Sequence, residues 1–261
     1  MKKIVIKNTL KYALLLAGMT SLPVMAHIGY GGRDFGSFAG IAGESQTRSG
    51  QSVTGNFGWI DGTDADWGDS HRLRAYRFHL DNDADVKISF HDQVFGTALG
   101  GINPGFSLYS GLAHLAPFKA DHDGATGSIA IRDAVGGVGL TEGSFRTQTN
   151  WSITNDDNDP ASVFTYIGSA YDGSVDYGTG VIPGGDGLAD HQVAKVFHLT
   201  AGDYSIFVGG TDYASQSVRP LPSYGVEGMV SVVPEPETYA MLLAGLGLLG
   251  ASTMRRRNRV L

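Results

Sequence analysis

Alternation of apolar and polar residues marks the clearest elements of this chain. In Arg74–Leu80, the side chains of Tyr76, Phe78 and Leu80 alternate with Ala75, Arg77 and His79. In 86–90, Val86, Ile88 and Phe90 alternate with Lys87 and Ser89. A period of two gives a strand with one buried face. The five residues 81–85, Asp-Asn-Asp-Ala-Asp, read as a turn, so the pair predicts a hairpin. Further strands are predicted at 106–109, 128–132, 151–153, 163–167, 195–199, 204–208 and 225–233, with 200–203 as a turn. Residues 28–58 are rich in Gly, Ser and Thr and predict short strands and loops. No segment between 27 and 233 carries a helical period, and no internal repeat is visible.

The two ends of the chain follow a different pattern. Lys2, Lys3, Lys7 and Lys11 precede a short apolar run at 12–19; Pro23 follows, then Val24-Met25-Ala26. A basic region, an apolar stretch and small residues at −3 and −1 form a secretory signal peptide cut after Ala26. At the other end, Pro234-Glu235-Pro236 precedes an uncharged run at 239–254, followed by Arg255, Arg256, Arg257 and Arg259. As a helix, those sixteen residues span about 24 Å, against a hydrocarbon core of roughly 30 Å. Snorkelling arginine stems cover part of the difference. Arginines beside a span favour the cytoplasmic side, which places 27–233 outside. The chain thus divides into a signal peptide (1–26), a body (27–233) and a tail (234–261) with a transmembrane helix at 239–254.

The tail resembles the PEP-CTERM sorting signal of Gram-negative bacteria, on Pro234, Glu235 and Pro236, the apolar helix and the arginine stop. The resemblance implies recognition by an exosortase, a membrane peptidase that removes the tail. It also implies a role near exopolysaccharide and biofilm matrix. Membrane attachment would then be transient, and the mature protein would lie at the cell surface or beyond it.

Charge sharpens once the ends are set aside. Eight of the 19 Lys and Arg lie in the two terminal segments, leaving 11; of the 26 acidic residues only Glu235 and Glu237 do, leaving 24. The body therefore carries −13, which disfavours nucleic acid and anionic lipid. Aspartate dominates, the body holding only Glu44, Glu142 and Glu227 as glutamates. Aspartate suits turns and glutamate suits helices, so the balance argues for an all-β body rich in turns. No cysteine is present, so neither disulfides nor thiol catalysis enter.

The phrases Tyr76-Arg-Phe-His-Leu, Val86-Lys-Ile-Ser-Phe, Pro104-Gly-Phe-Ser-Leu-Tyr-Ser-Gly and Leu199-Thr-Ala-Gly-Asp-Tyr-Ser-Ile-Phe-Val resemble the bacterial pre-peptidase C-terminal type of β-sandwich. That resemblance implies a jelly-roll-like, non-catalytic sandwich over about 72–233, here with long insertions between 110 and 190.

Candidate chemistry lies in acidic loops. Asp61, Asp64, Asp66 and Asp69 alternate with glycine and small residues, a pattern able to wrap oxygens around Ca²⁺; the bland reading is a solvated turn. Asp156, Asp157 and Asp159 form a second such group, and Asp121 with Asp123 a weaker third. Trp59 and Trp67 flank the first loop and, with Trp151, Tyr171 and Tyr177, are candidates for stacking on sugars; the bland reading is core. Zinc-protease and nucleophile-elbow motifs are absent. The expectation is a non-enzymatic surface or matrix protein. Its rivals are a calcium-dependent carbohydrate-binding module and a secreted hydrolase built on Asp66, Asp69 and His71.

Overall fold

The structure is a computed structural model that describes residues 27–60, 66–114, 121–122, 144–153, 162–174, 182–234 and 246. Its strands, in chain order, are β1 (His27–Ile28), β2 (Asp34–Phe38), β3 (Ser45–Thr54), β4 (Trp67–Asp69), β5 (Arg74–Leu80), β6 (Ala84–Asp92) and β7 (Pro104–Ser110). They continue as β8 (Asp121–His122), β9 (Ser144–Arg146), β10 (Trp151–Ile153), β11 (Ser162–Tyr171), β12 (Gln192–Leu199), β13 (Gly202–Gly210) and β14 (Ser223–Val233). A 3₁₀ turn spans Tyr213–Ser217. The predicted strand at 128–132 lies outside the described residues.

Two sheets face each other. One has the order β10-β11-β7-β13-β5-β2 and the other β12-β6-β14-β3, with β1-β8 and β4-β9 as small separate pairs. The named pairs are antiparallel except β2 with β5. Between the sheets, Tyr76, Phe78, Leu80, Phe106, Leu108 and Ile206 meet Val86, Ile88, Phe90, Val193, Val226 and Val230 in one buried cluster. Each such side chain contributes about 1.5–3 kcal/mol by leaving water. The described body is therefore an all-β sandwich, as the alternation and turn-rich composition predict.

The predicted hairpin is corrected. β5 pairs with β13 and β2, whereas β6 pairs with β12 and β14. The link at 81–83 is an arch that carries the chain from one sheet to the other. Alternation reports that a strand buries one face, and two such strands satisfy it either side by side or across a core. The arch is tied to other loops: Asn82 Nδ2 donates to the Ala39 carbonyl at 2.9 Å, and Asp83 accepts from the Ala201 amide at 2.8 Å. The turn at 200–203 likewise joins strands of different sheets, β12 and β13.

The six-stranded sheet is also covered on its outer face. Ile28, Trp59, Leu73, Tyr109, Trp151, Phe164, Tyr171, Ile182 and Phe207 form a second buried cluster there. β7 and β13 are accordingly buried on both faces. Close backbone approach holds this layer down, since Trp59 N donates to the Gly210 carbonyl at 3.0 Å. A Cβ on Gly210 would lie 2.2 Å from the Asn56 carbonyl carbon. Gly210→Ala is therefore expected to cost about 3 kcal/mol by overpacking, read as a lower urea midpoint. Gly29, where a Cβ meets nothing within 4 Å, is the control: Gly29→Ala should leave the midpoint in place. Equal midpoints for the two variants would contradict the close approach.

Candidate functional site

The first acidic loop is partly visible. Asp61 and Asp64 lie outside the described residues, whereas Asp66 and Asp69 do not. Asp66 forms an ion pair with Arg146 and accepts from the Gln148 amide at 2.7 Å and Thr149 Oγ1 at 2.8 Å. Asp69 accepts from the His71 amide at 2.9 Å, meets His71 Nδ1 at 3.0 Å, and pairs with Arg72 at 3.3 Å. Both carboxylates thus address protein donors. Of the hydrolase candidates, Asp69 and His71 are together, while Asp66 turns to Arg146.

The expected sugar platforms are corrected. Trp59 is 0% and Trp67 6% exposed. Trp59 packs at 5.4 Å from the Tyr171 ring and donates from Nε1 to Ser107 Oγ at 2.9 Å. Arg146 lies over the Trp67 ring at 4.6 Å. Trp151 and Tyr171 are buried in the same outer layer. The physical reason is the second face of β7 and β13, where Tyr109 and Phe207 have to be covered and Ser107 gives the Trp59 indole an acceptor. Asp156, Asp157, Asp159, Asp123 and Tyr177 lie outside the described residues. Asp121 lies in β8.

A different acidic group emerges from the fold. One carboxylate oxygen from each of Asp172, Asp186 and Asp190 lies within 4.8 Å of the others. Asp172 follows β11 directly and is 1% exposed; it accepts from the Asp190 amide at 3.0 Å and the His191 amide at 3.1 Å. Asp186 accepts from the Gly173 amide at 2.9 Å. Burial pushes the Asp172 carboxyl up, its two backbone donors pull it down, and Asp186 and Asp190 raise it further. Chemically, three converging carboxylates suit a hard divalent cation. The group was missed because thirteen residues lie between Asp172 and Asp186 along the chain, in a stretch that reads as a glycine-rich loop.

Histidines of the sheet surface pair with carboxylates. His79 Nδ1 meets Asp203 at 2.8 Å and Nε2 meets Asp81 at 3.3 Å. The Asp203 hydrogen bond holds the His79 pKa above its ordinary value, against some desolvation, with the charges of Asp203 and Asp81 adding to it. A raised histidine favours the folded state at low pH, and that contribution is lost as pH rises through the raised value. Asp203→Asn should move the His79 ring titration down in an NMR pH series. An unmoved titration would contradict the pairing.

The chain end completes the set. β14 closes the last sheet at Val233, and Pro234 follows half-buried. Ala26, Glu235, Pro236, Arg255, Arg256, Arg257 and Arg259 lie outside the described residues. Among the described residues no helix is long and apolar enough to cross a membrane; the run at 239–254 lies outside them except for Leu246. The family model for the PEP-CTERM protein-sorting motif matches residues 232–257. The chain carries a PEP-CTERM sorting signal. That signal assigns the protein to export, to exosortase processing and to a surface or extracellular location.

No curated protein matches the sequence. Among solved structures, CorA, a surface-associated copper-binding protein of Methylomicrobium album, is similar at 14% identity and a TM-score of 0.48, over 76% of this chain and 97% of that one. The copper-binding secreted protein MopE of Methylococcus capsulatus is similar at 15% and 0.40, over 77% and 87%. The pre-peptidase C-terminal domain of a Bacillus anthracis collagenase is similar at 10% and 0.29, over 76% and 93%. These scores are low, and the sandwich described above rests on its own strand pairing.

Proposed function

We propose that the mature chain is a non-enzymatic β-sandwich of the cell surface or extracellular matrix, associated with exopolysaccharide or biofilm. It is exported by the 1–26 signal peptide, held by a helix at 239–254, and released from that helix by an exosortase acting near Pro234-Glu235-Pro236. The observation that carries this reading is the junction between fold and signal. The matched motif begins at residue 232, and Val232 is the last member of either buried cluster. Removal of the tail past Pro234 is expected to leave every described member of those clusters in place.

The Asp172, Asp186 and Asp190 group favours a second reading, a calcium-dependent carbohydrate-binding module. In it, a cation relieves the mutual repulsion of three carboxylates, one of them buried. The Asp61–Asp69 and Asp156–Asp159 loops remain proposed calcium ligands alongside it. Calcium is expected to raise the melting temperature of the full chain, and Asp186→Asn to reduce that rise. Identical melts in excess calcium and in chelator would remove the cation. Co-sedimentation with the producing bacterium's exopolysaccharide, in calcium and in chelator, tests both readings. Binding in both conditions supports the matrix reading, binding in calcium alone the module, and binding in neither contradicts both.

A further inference from the structure

Four arginines gather where β2, β3 and β5 meet at one edge of the sandwich. Arg77 is paired, with Asp34 at 2.6 Å. Arg33, Arg48 and Arg74 have no carboxylate partner among the described residues. Arg33 donates to neutral oxygens only: Ala75 O at 2.9 Å, Gly29 O at 2.5 Å and Gln51 Oε1 at 3.3 Å. Arg48 donates to Asp34 O at 2.6 Å and Thr47 O at 2.8 Å, and Arg74 to Leu73 O at 2.9 Å. Arg72 and Arg146, by contrast, take Asp69 and Asp66. Half-buried guanidinium groups without counter-charges are costly, and this body carries more than twice as many acids as bases.

A second observation points the same way. Tyr76 is 0% exposed, and its hydroxyl has no hydrogen-bond partner among the described residues. By strand alternation Arg74 shares the Tyr76 face of β5. Burial pushes the Tyr76 hydroxyl up while Arg33 and Arg74 pull it down, so it stays a neutral donor, and Arg33 Nε is held on the carbonyl of the preceding residue, Ala75. Burial and the neighbouring Arg74 charge depress Arg33. An anion at this place would reverse each of these penalties: two guanidinium groups gain a counter-charge and an orphaned O–H gains an acceptor.

We propose that Arg33, Arg74 and the Tyr76 hydroxyl form an anion site that takes the carboxylate of an acidic sugar, a uronate. Guanidinium geometry matches carboxylate and phosphate alike. The negative body disfavours a dianion more than a singly charged carboxylate, which selects the uronate. The polymeric source of the sugar rests on the exopolysaccharide reading above; the site itself does not.

The test uses the full chain in detergent, titrated with glucuronate, glucose and inorganic phosphate by calorimetry, and with Arg74→Gln and Tyr76→Phe variants. Glucuronate should bind and glucose should not. Arg74→Gln should weaken glucuronate about tenfold by removing a charge-assisted donor. Tyr76→Phe should also weaken it yet melt no lower than the parent, because the lost hydroxyl had no partner; a purely structural residue would shift the melt and leave the affinity. Unchanged glucuronate affinity in folded Arg74→Gln, no glucuronate binding, equal binding of glucose, or a preference for phosphate would overturn the proposal. Arg74-dependent glucuronate binding without co-sedimentation of the native exopolysaccharide would support the site and contradict the matrix reading. Co-sedimentation unaffected by Arg74→Gln would do the reverse.

Discussion

Trp59→Ala is expected to destabilise the protein by about 3–5 kcal/mol, the usual range for deleting a buried large aromatic. Trp59 sits at 0% exposure under the outer layer, against Tyr171 at 5.4 Å, with its indole N–H on Ser107 Oγ at 2.9 Å. Its ring also fills the space over Gly105, where a Cβ would lie 2.6 Å away. Truncation empties that space, and the rigid strands β7 and β13 beneath it cannot collapse to fill it. Urea unfolding followed by circular dichroism reads the loss as a fall in midpoint. A variant that kept its midpoint but lost binding to a sugar would restore Trp59 as an exposed stacking platform and contradict the layer described here.

Replacing Pro234, Glu235 and Pro236 by alanine is expected to abolish removal of the tail. Proline lacks a backbone N–H and holds an extended segment, which suits a chain leaving β14 for a membrane peptidase. Among the described residues Pro234 belongs to neither buried cluster, so folding should survive. Immunoblots of membrane and medium fractions read the outcome. Full-length chain should accumulate in the membrane, and the shorter form should vanish from the medium. Unchanged processing would show that the peptidase reads something other than this motif.

Strands were legible where one face is wet. β5 and β6 carry strict alternation and appear where expected, but partner choice does not: alternation is the same for a hairpin as for an arch across the core. β7 and β13 are buried on both faces, yet the outer face mixes Tyr109 and Phe207 with Ser107 and Ser205, and its cover comes from segments distant in sequence. Trp59 illustrates the cost, since a tryptophan beside an acidic loop reads as exposed until the second layer is known. The same non-locality hid the acidic group. Asp172 ends a strand, Asp186 and Asp190 sit in a later loop, and backbone bonds between the two bring them together. The arginine edge was hidden for the reverse reason. Composition reports a net charge of the body, while the edge is defined by which arginines lack acids around them. The sorting signal alone was legible outright, because its parts are contiguous.

Intact mass spectrometry of the protein recovered from the surface and medium of the producing bacterium tests the central claim most directly. The account expects a chain that begins at His27 and ends within a few residues of Pro236, well below the 27.6 kDa of the full sequence. A recovered protein that retains Leu261, or one found only inside the cell, would contradict export and exosortase processing together.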